Sequence, residues 1–200
     1  TRFGAPFFVL WAPSSTEIVN WGGNTYDDTS SDRPPAGLAT AVSLGLGWDA
    51  AVAVKQDGSV VAWGHTAISN TPQASKDVVS AAVAGGDIFA LKADGTVVRL
   101  NGSSDLMQVP AGLKNVVAID CGVTFVVALK TDGTVVTWPG YGTPAGLSGV
   151  VAITAGDYHA LALKADGTVV GWGHYGSGGE PTGLAAFTDV VGLAGGMNHS

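Results

Sequence analysis

The sequence predicts an all-β fold, a β-propeller of about five blades forming a single domain over residues 1–200, on three observations. A β-rich unit recurs with hairpin-closing residues at Trp21, Trp63, Leu100, Trp138 and Trp172, a period near 40 residues. Four of the units carry an Asp-Gly turn between two alternating apolar runs. The chain also starts and stops in mid-unit, so its two ends together supply one further unit.

Composition agrees. Apolar residues make up 46 %, charged residues only 12 %, and Gly numbers 30 in 200 residues. Exposed helix faces would need more Glu and Lys, whereas many glycines among Val, Thr and Trp suit short strands and tight turns. A chain this long can bury most of its apolar surface. The net charge of −7 leaves few cations for phosphates, which argues against nucleic acid and anionic membranes as partners. No apolar run reaches the roughly 20 residues of a membrane-spanning helix. The single Cys121 has no intramolecular partner, and its setting in AIDCGV reads as a small buried filler. The first residue is Thr, as expected of a processed mature form or an excised piece; the compartment stays open, with a secreted or cell-surface setting favoured.

Within a unit the elements come in a fixed order. First is a short apolar strand such as VVAIT (150–154), ending at Ala155-Gly156, Gly85-Gly86, Cys121-Gly122 or Gly195-Gly196. An alternating strand follows, as in HALALK (159–164), then an Asp-Gly turn, then TVVGW (168–172). Asp57-Gly58, Asp94-Gly95, Asp132-Gly133 and Asp166-Gly167 are hairpin signals, because Gly accepts positive φ and Asp bonds the turn backbone. Turn chemistry explains the Gly beside each Asp better than a carboxylate cluster does. The strings PPAGL, VPAGL, TPAGL and EPTGL (34–38, 109–113, 143–147, 180–184) mark blade boundaries, as an outer strand or a connecting loop.

At the ends, residues 4–22 match the second half of a unit and residues 189–200 the first half. Joined, they form one blade built from both termini, the usual way to hide the first and last strand edges of a ring.

The string VVAITAGDYHALALKADGTVVGWG (150–173) resembles the regulator-of-chromosome-condensation repeats, and most closely their compact bacterial branch, which includes inhibitors of class A β-lactamases. The resemblance spans nearly the whole chain in degenerate copies. It implies a propeller and a binding face of aromatic residues in the loops after the Gly pair. Those positions are Pro6-Phe7, Trp48-Asp49, Asp87-Ile88, Val123-Thr124, Asp157-Tyr158 and Met197-Asn198. The family's usual blade number is seven, against about five here. The second unit looks eroded, two residues shorter between Gly86 and Lys92 and with Leu100 in place of Trp.

The hairpin-closing tryptophans read as blade packing. Trp48 breaks the pattern, since it follows Gly47 where other copies place Asp87, Val123 and Asp157. Trp48 and Asp49, Asp87, and Asp157 with Tyr158 are therefore the candidate partner contacts. Tyr26, Tyr141 and Tyr175, just past the hairpin-closing positions, join them as possible anchors. His159 and His199 share one repeat position and read as structural, and His65 and His174 lie too far apart in a ring to share a metal. No catalytic constellation, metal site or cofactor signature stands out. The expected function is a non-enzymatic protein-binding propeller, an inhibitor or recognition module whose acidity suits a basic partner. A five-bladed carbohydrate-binding lectin, or a structural module of a larger surface protein, is the alternative. A lectin would repeat one polar-aromatic site per blade, whereas these loops vary while the core repeats.

Overall fold

The computed structural model describes residues 34–47, 50–64, 76–102, 105–139, 142–173, 184 and 187–196. These residues form four antiparallel sheets of three strands each. Blade 1 holds β1 (Ala41–Leu46), β2 (Ala50–Lys55) and β3 (Val60–Gly64); blade 2 holds β4 (Val78–Ala84), β5 (Asp87–Lys92) and β6 (Val97–Asn101). Blade 3 holds β7 (Val116–Cys121), β8 (Val126–Lys130) and β9 (Val135–Trp138), and blade 4 holds β10 (Val150–Ala155), β11 (His159–Lys164) and β12 (Val169–Gly173). The first strands lie side by side from blade to blade, β1 against β4, β4 against β7 and β7 against β10.

The core lies between blades, because the middle strand alternates its side chains into two neighbours. Ile88 and Ala90 face blade 1 beside Val52 and Val54, while Phe89 and Leu91 face blade 3 beside Val126 and Ala128. There the Phe89 ring meets Trp138 edge-on, centroids 6.0 Å apart. Cys121 is buried in this same layer, and burial pushes its thiol well above the ordinary range, so it fills space as a small apolar group.

Each Asp-Gly turn is a three-residue loop rather than a two-residue one. In blade 4, Gly167 N donates to Lys164 O at 2.9 Å and Lys164 N donates to Thr168 O at 2.9 Å, with Gly167 at φ 80°. This is a β-turn closed by a left-handed Gly that forms a bulge. Asp166 Oδ1 accepts from Thr168 N (3.0 Å) and from Thr168 Oγ1, so the working signal is Asp-Gly-Ser/Thr. The same bonds recur at Asp57/Ser59, Asp94/Thr96 and Asp132/Thr134. A second left-handed residue precedes the first strands of blades 2, 3 and 4 and the segment that follows blade 4: Asp77, Asn115, Gly149 and Asp189 have φ between 59° and 69°. Asp, Asn and Gly are the types that tolerate this conformation.

The P-x-G-L strings at 34–38, 109–113 and 143–147 are turns and not strands. Leu113 N bonds Pro110 O and Leu147 N bonds Pro144 O, with Gly112 and Gly146 at φ near 78°, which lets the Leu tuck against the adjoining core.

Residues 187–196 dock on blade 4 as each blade docks on its predecessor. Val190 N donates to Gly167 O, as Val150 N does to Gly133 O and Val116 N to Gly95 O. Val190 and Leu193 pack on Leu161, Leu163 and Val169. This is the start of a fifth unit; the half expected from residues 4–22 lies outside the described residues. Among the described residues no helix is long and apolar enough to cross a membrane.

Candidate partner-binding face

The strand pairing aligns the four units. From the first residue of the first strand to the Lys paired with it, the units run Ala41–Lys55, Val78–Lys92, Val116–Lys130 and Val150–Lys164, all of one length. The second unit is therefore not shortened. Its Gly85-Gly86 is the loop itself, equivalent to Val123-Thr124 and Asp157-Tyr158, and Ala84 takes the place of Gly156.

This register corrects the placement of Asp87. It stands at the His159 position, first in the middle strand, where Ala50, Phe125 and His159 are buried in the other blades. Asp87 is 5 % exposed, and its Oδ1 accepts from Arg99 Nη2 at 2.6 Å and Arg99 Nε at 3.2 Å. It is an interior ion pair and not a loop contact. The third strand adapts with one extra residue, the pairing skipping Leu100 between Arg99 and Asn101, so that Gly102 takes the positive-φ position of Gly64 and Gly173. A Cβ on Gly102 would overlap the Asp87 carboxylate. The departure in unit two is thus an insertion beside an ion pair.

Arg99 has a neighbouring consequence. Its register position is that of Thr137 in blade 3, whose Oγ1 accepts from Trp172 Nε1 of the next blade at 3.3 Å. Blade 2 presents a guanidinium there, a donor, and Trp138 Nε1 is buried without an acceptor among the described residues.

The loops between first and middle strands lie at the end opposite the Asp-Gly turns and are locked to one another. Val123 N donates to Asp157 O at 2.9 Å across blades. A Cβ on Gly122 would come within 2.6 Å of Gly156 O, and one on Gly156 would strike Gly196 O and the His159 ring. Glycine is required there because two backbones touch. Below the loops, Asp120 clasps blade 4 to blade 3: its carboxylate accepts from Ala155 N (2.9 Å), Thr154 Oγ1 (3.2 Å) and Cys121 N (2.8 Å). Thr154 Oγ1 in turn accepts from Gly195 N of the fifth unit at 3.0 Å.

On this fixed base the outward groups differ from blade to blade. Tyr158 is 39 % exposed, Thr124 and Gly86 are exposed, and Asp157 is half-buried with its carboxyl pushed up by burial. Leu46, 38 % exposed, stands where the other units place Val83, Cys121 and Ala155. A large apolar residue ending the first strand next to Trp48 was the sequence signal for it. Trp48, Asp49, Tyr26, Tyr141 and Tyr175 lie outside the described residues. Among the described residues no group of three or more His, Cys, Asp or Glu is placed to hold a metal ion.

Comparison with known proteins bears on this geometry. Residues 150–178 match the Regulator of chromosome condensation (RCC1) repeat. Among solved structures, the ectodomain of the Physcomitrella patens receptor kinase CR4 is similar with a TM-score of 0.63 and 22 % identity, over 79 % of this chain and 47 % of that one. Prp20p from Saccharomyces cerevisiae, solved with its binding properties to Gsp1p and histones, is similar with a TM-score of 0.56 and 16 % identity, over 90 % of this chain and 57 % of that one.

The fold is that of an RCC1-type propeller.

The CRINKLY WD40 ectodomain of the Arabidopsis thaliana receptor kinase ACR4 is a third similar structure, TM-score 0.57 at 21 % identity, over 69 % of this chain and 52 % of that one. The propeller described here spans about half the length of these structures. No curated protein sequence matches it.

Proposed function

We propose that this chain is a non-enzymatic protein-binding propeller whose partner docks on the loop face bearing Tyr158, Asp157, Thr124 and Leu46. The observation that carries this reading is the contrast within that face. Inter-blade bonds fix the loop backbones, such as Val123 N to Asp157 O, while the side chains they present do not repeat. A rigid platform with varied tips suits one asymmetric partner and not a series of equal ligand sites. Trp48 and Asp49, whose sequence counterparts are Val123-Thr124 and Asp157-Tyr158, are proposed as further contacts, with Tyr26, Tyr141 and Tyr175 as further anchors. The net charge of −7 favours a partner with a basic surface. Prp20p, of similar fold, is known with Gsp1p and histones as its binding partners, which supports a protein rather than a small molecule as ligand.

The likeness to the bacterial class A β-lactamase inhibitors gives the reading a sharper form, an inhibitory module acting outside the cell. Capture from an extract of the source cells with the wild-type chain and with Tyr158→Ala tests the general form. Tyr158→Ala should lose the captured partner by tenfold or more in affinity, about the 1.4 kcal/mol of an anchoring aromatic, without loss of fold. Capture unchanged by Tyr158→Ala and by Trp48→Ala would refute it. Binding to a glycan array at several equal sites per chain would move the assignment to a lectin.

A further inference from the structure

The end of the blades opposite the loops carries its own repeated surface. In each first strand the second residue is the bulged one, skipped by the pairing, and its side chain is exposed. That residue is Val42, Val79, Val117 and Val151 in the four blades, and Val191 holds the position in the fifth unit, with exposures from 46 % to 96 %. Because the first strands lie side by side, the valines form one series along their turn ends. Interior positions of the repeat vary among Ala, Asp, Phe and His, yet this exposed one is Val every time. A recurring series of exposed apolar side chains on one face is the kind of feature that marks an interaction surface.

Charge says what covers it. All six lysines of the chain lie at this end: four precede the Asp of a turn by two residues, and Lys76 and Lys114 precede the left-handed residues Asp77 and Asn115. Both of those are tied to a turn, by Ala93 N to Asp77 O and Thr131 N to Asn115 O. Six Asp accompany them among the described residues, the four turn Asp with Asp77 and Asp189, so the described charges here sum to zero in a chain that carries −7. Lys130–Asp132 and Lys164–Asp166 contact at 3.0 Å, placing opposite charges side by side. An anionic lipid surface or a nucleic acid would need a net cationic face. A neutral face of alternating sign around an apolar centre is complementary to itself, whereas a net-negative surface repels another copy.

We infer that this turn face takes a second copy of this chain, face to face, with the valines at the centre and the Lys/Asp turns as the polar rim. Sedimentation of the full chain should give a reversible dimer with a micromolar Kd that weakens at high salt. Val117→Asp with Val151→Asp should leave a monomer, and Val117→Thr with Val151→Thr, which keeps shape at exposed sites, should weaken the dimer at least tenfold with the fold intact. Tyr158→Ala, on the other face, should leave the dimer unchanged. A wild-type chain that stays monomeric at high micromolar concentration, a dimer that survives the valine substitutions, or binding to phosphatidylserine vesicles in place of self-association would overturn it.

Discussion

Replacing Asp87 with Ala separates an interior role from a surface one. The carboxylate lies 2.6 Å from Arg99 Nη2, and the two side chains are only 12 % and 8 % exposed, so water screens the pair little. Deleting the carboxylate takes the 2.6 Å ion pair away from a guanidinium that is itself nearly buried, a loss of about 3–5 kcal/mol. Against a total stability of roughly 5–15 kcal/mol, that should lower the melting temperature by on the order of 10 °C for a chain of this size. Urea unfolding followed by tryptophan fluorescence measures it. The double variant Asp87→Ala/Arg99→Met should cost less than the two single changes added together, because the two side chains contact each other directly. Partner capture should survive wherever the variant is folded. A loss within about 0.5 kcal/mol, the range of ordinary surface positions, would refute the interior assignment and return Asp87 to the loop face.

Other outcomes follow from the inter-blade contacts. Thr137→Val removes the acceptor of Trp172 Nε1 and should cost about 1 kcal/mol in the same urea assay. Gly156→Ala forces a methyl against Gly196 O and the His159 ring, and should cost about 1–3 kcal/mol, with faster hydrogen exchange at residues 193–196. The turn carboxylates set an acid limit. Hydrogen bonds from Thr134 and Lys130 hold Asp132 down at about 2, below its ordinary 3.8, and Asp57, Asp94 and Asp166 are likewise lowered, chiefly by the neighbouring Ser or Thr. The unfolded chain then takes up protons first, so the turns' contribution is complete above 3.8 and is lost as pH falls toward about 2. Thr134→Val with Thr168→Val should flatten that loss in acid unfolding curves. Asp120 has the opposite sign, since burial raises it, and Asp120→Asn should remove a small decline in stability as pH rises past 3.8.

The repeat made most of the fold legible. Strand order, the position of the turns and the blade boundaries follow from Asp-Gly and P-x-G-L, because those turns need glycine where φ is positive. The finer chemistry was in the sequence but carried by residues that look like fillers, such as the Ser or Thr after each Asp-Gly and the Asp, Asn or Gly before each Val-Val. Unit two misleads for a physical reason. Glycine serves both where two blades touch, as at Gly156, and in the loop, as at Gly85-Gly86, so aligning on the Gly pair shifts Asp87 into the loop. The Asp120 clasp and the exposed valines arise from contacts between units, which a single unit's pattern does not encode. Asp157 and Tyr158 lie on the loop face that the resemblance implies, while Trp48 lies outside the described residues.

Hydrogen exchange of the full chain with its captured partner tests the central claim most directly. Protection concentrated at residues 123–124 and 157–158, lost in Tyr158→Ala, is the predicted result. Protection confined to the Asp-Gly turns or the third strands, with those loops unchanged, would contradict it.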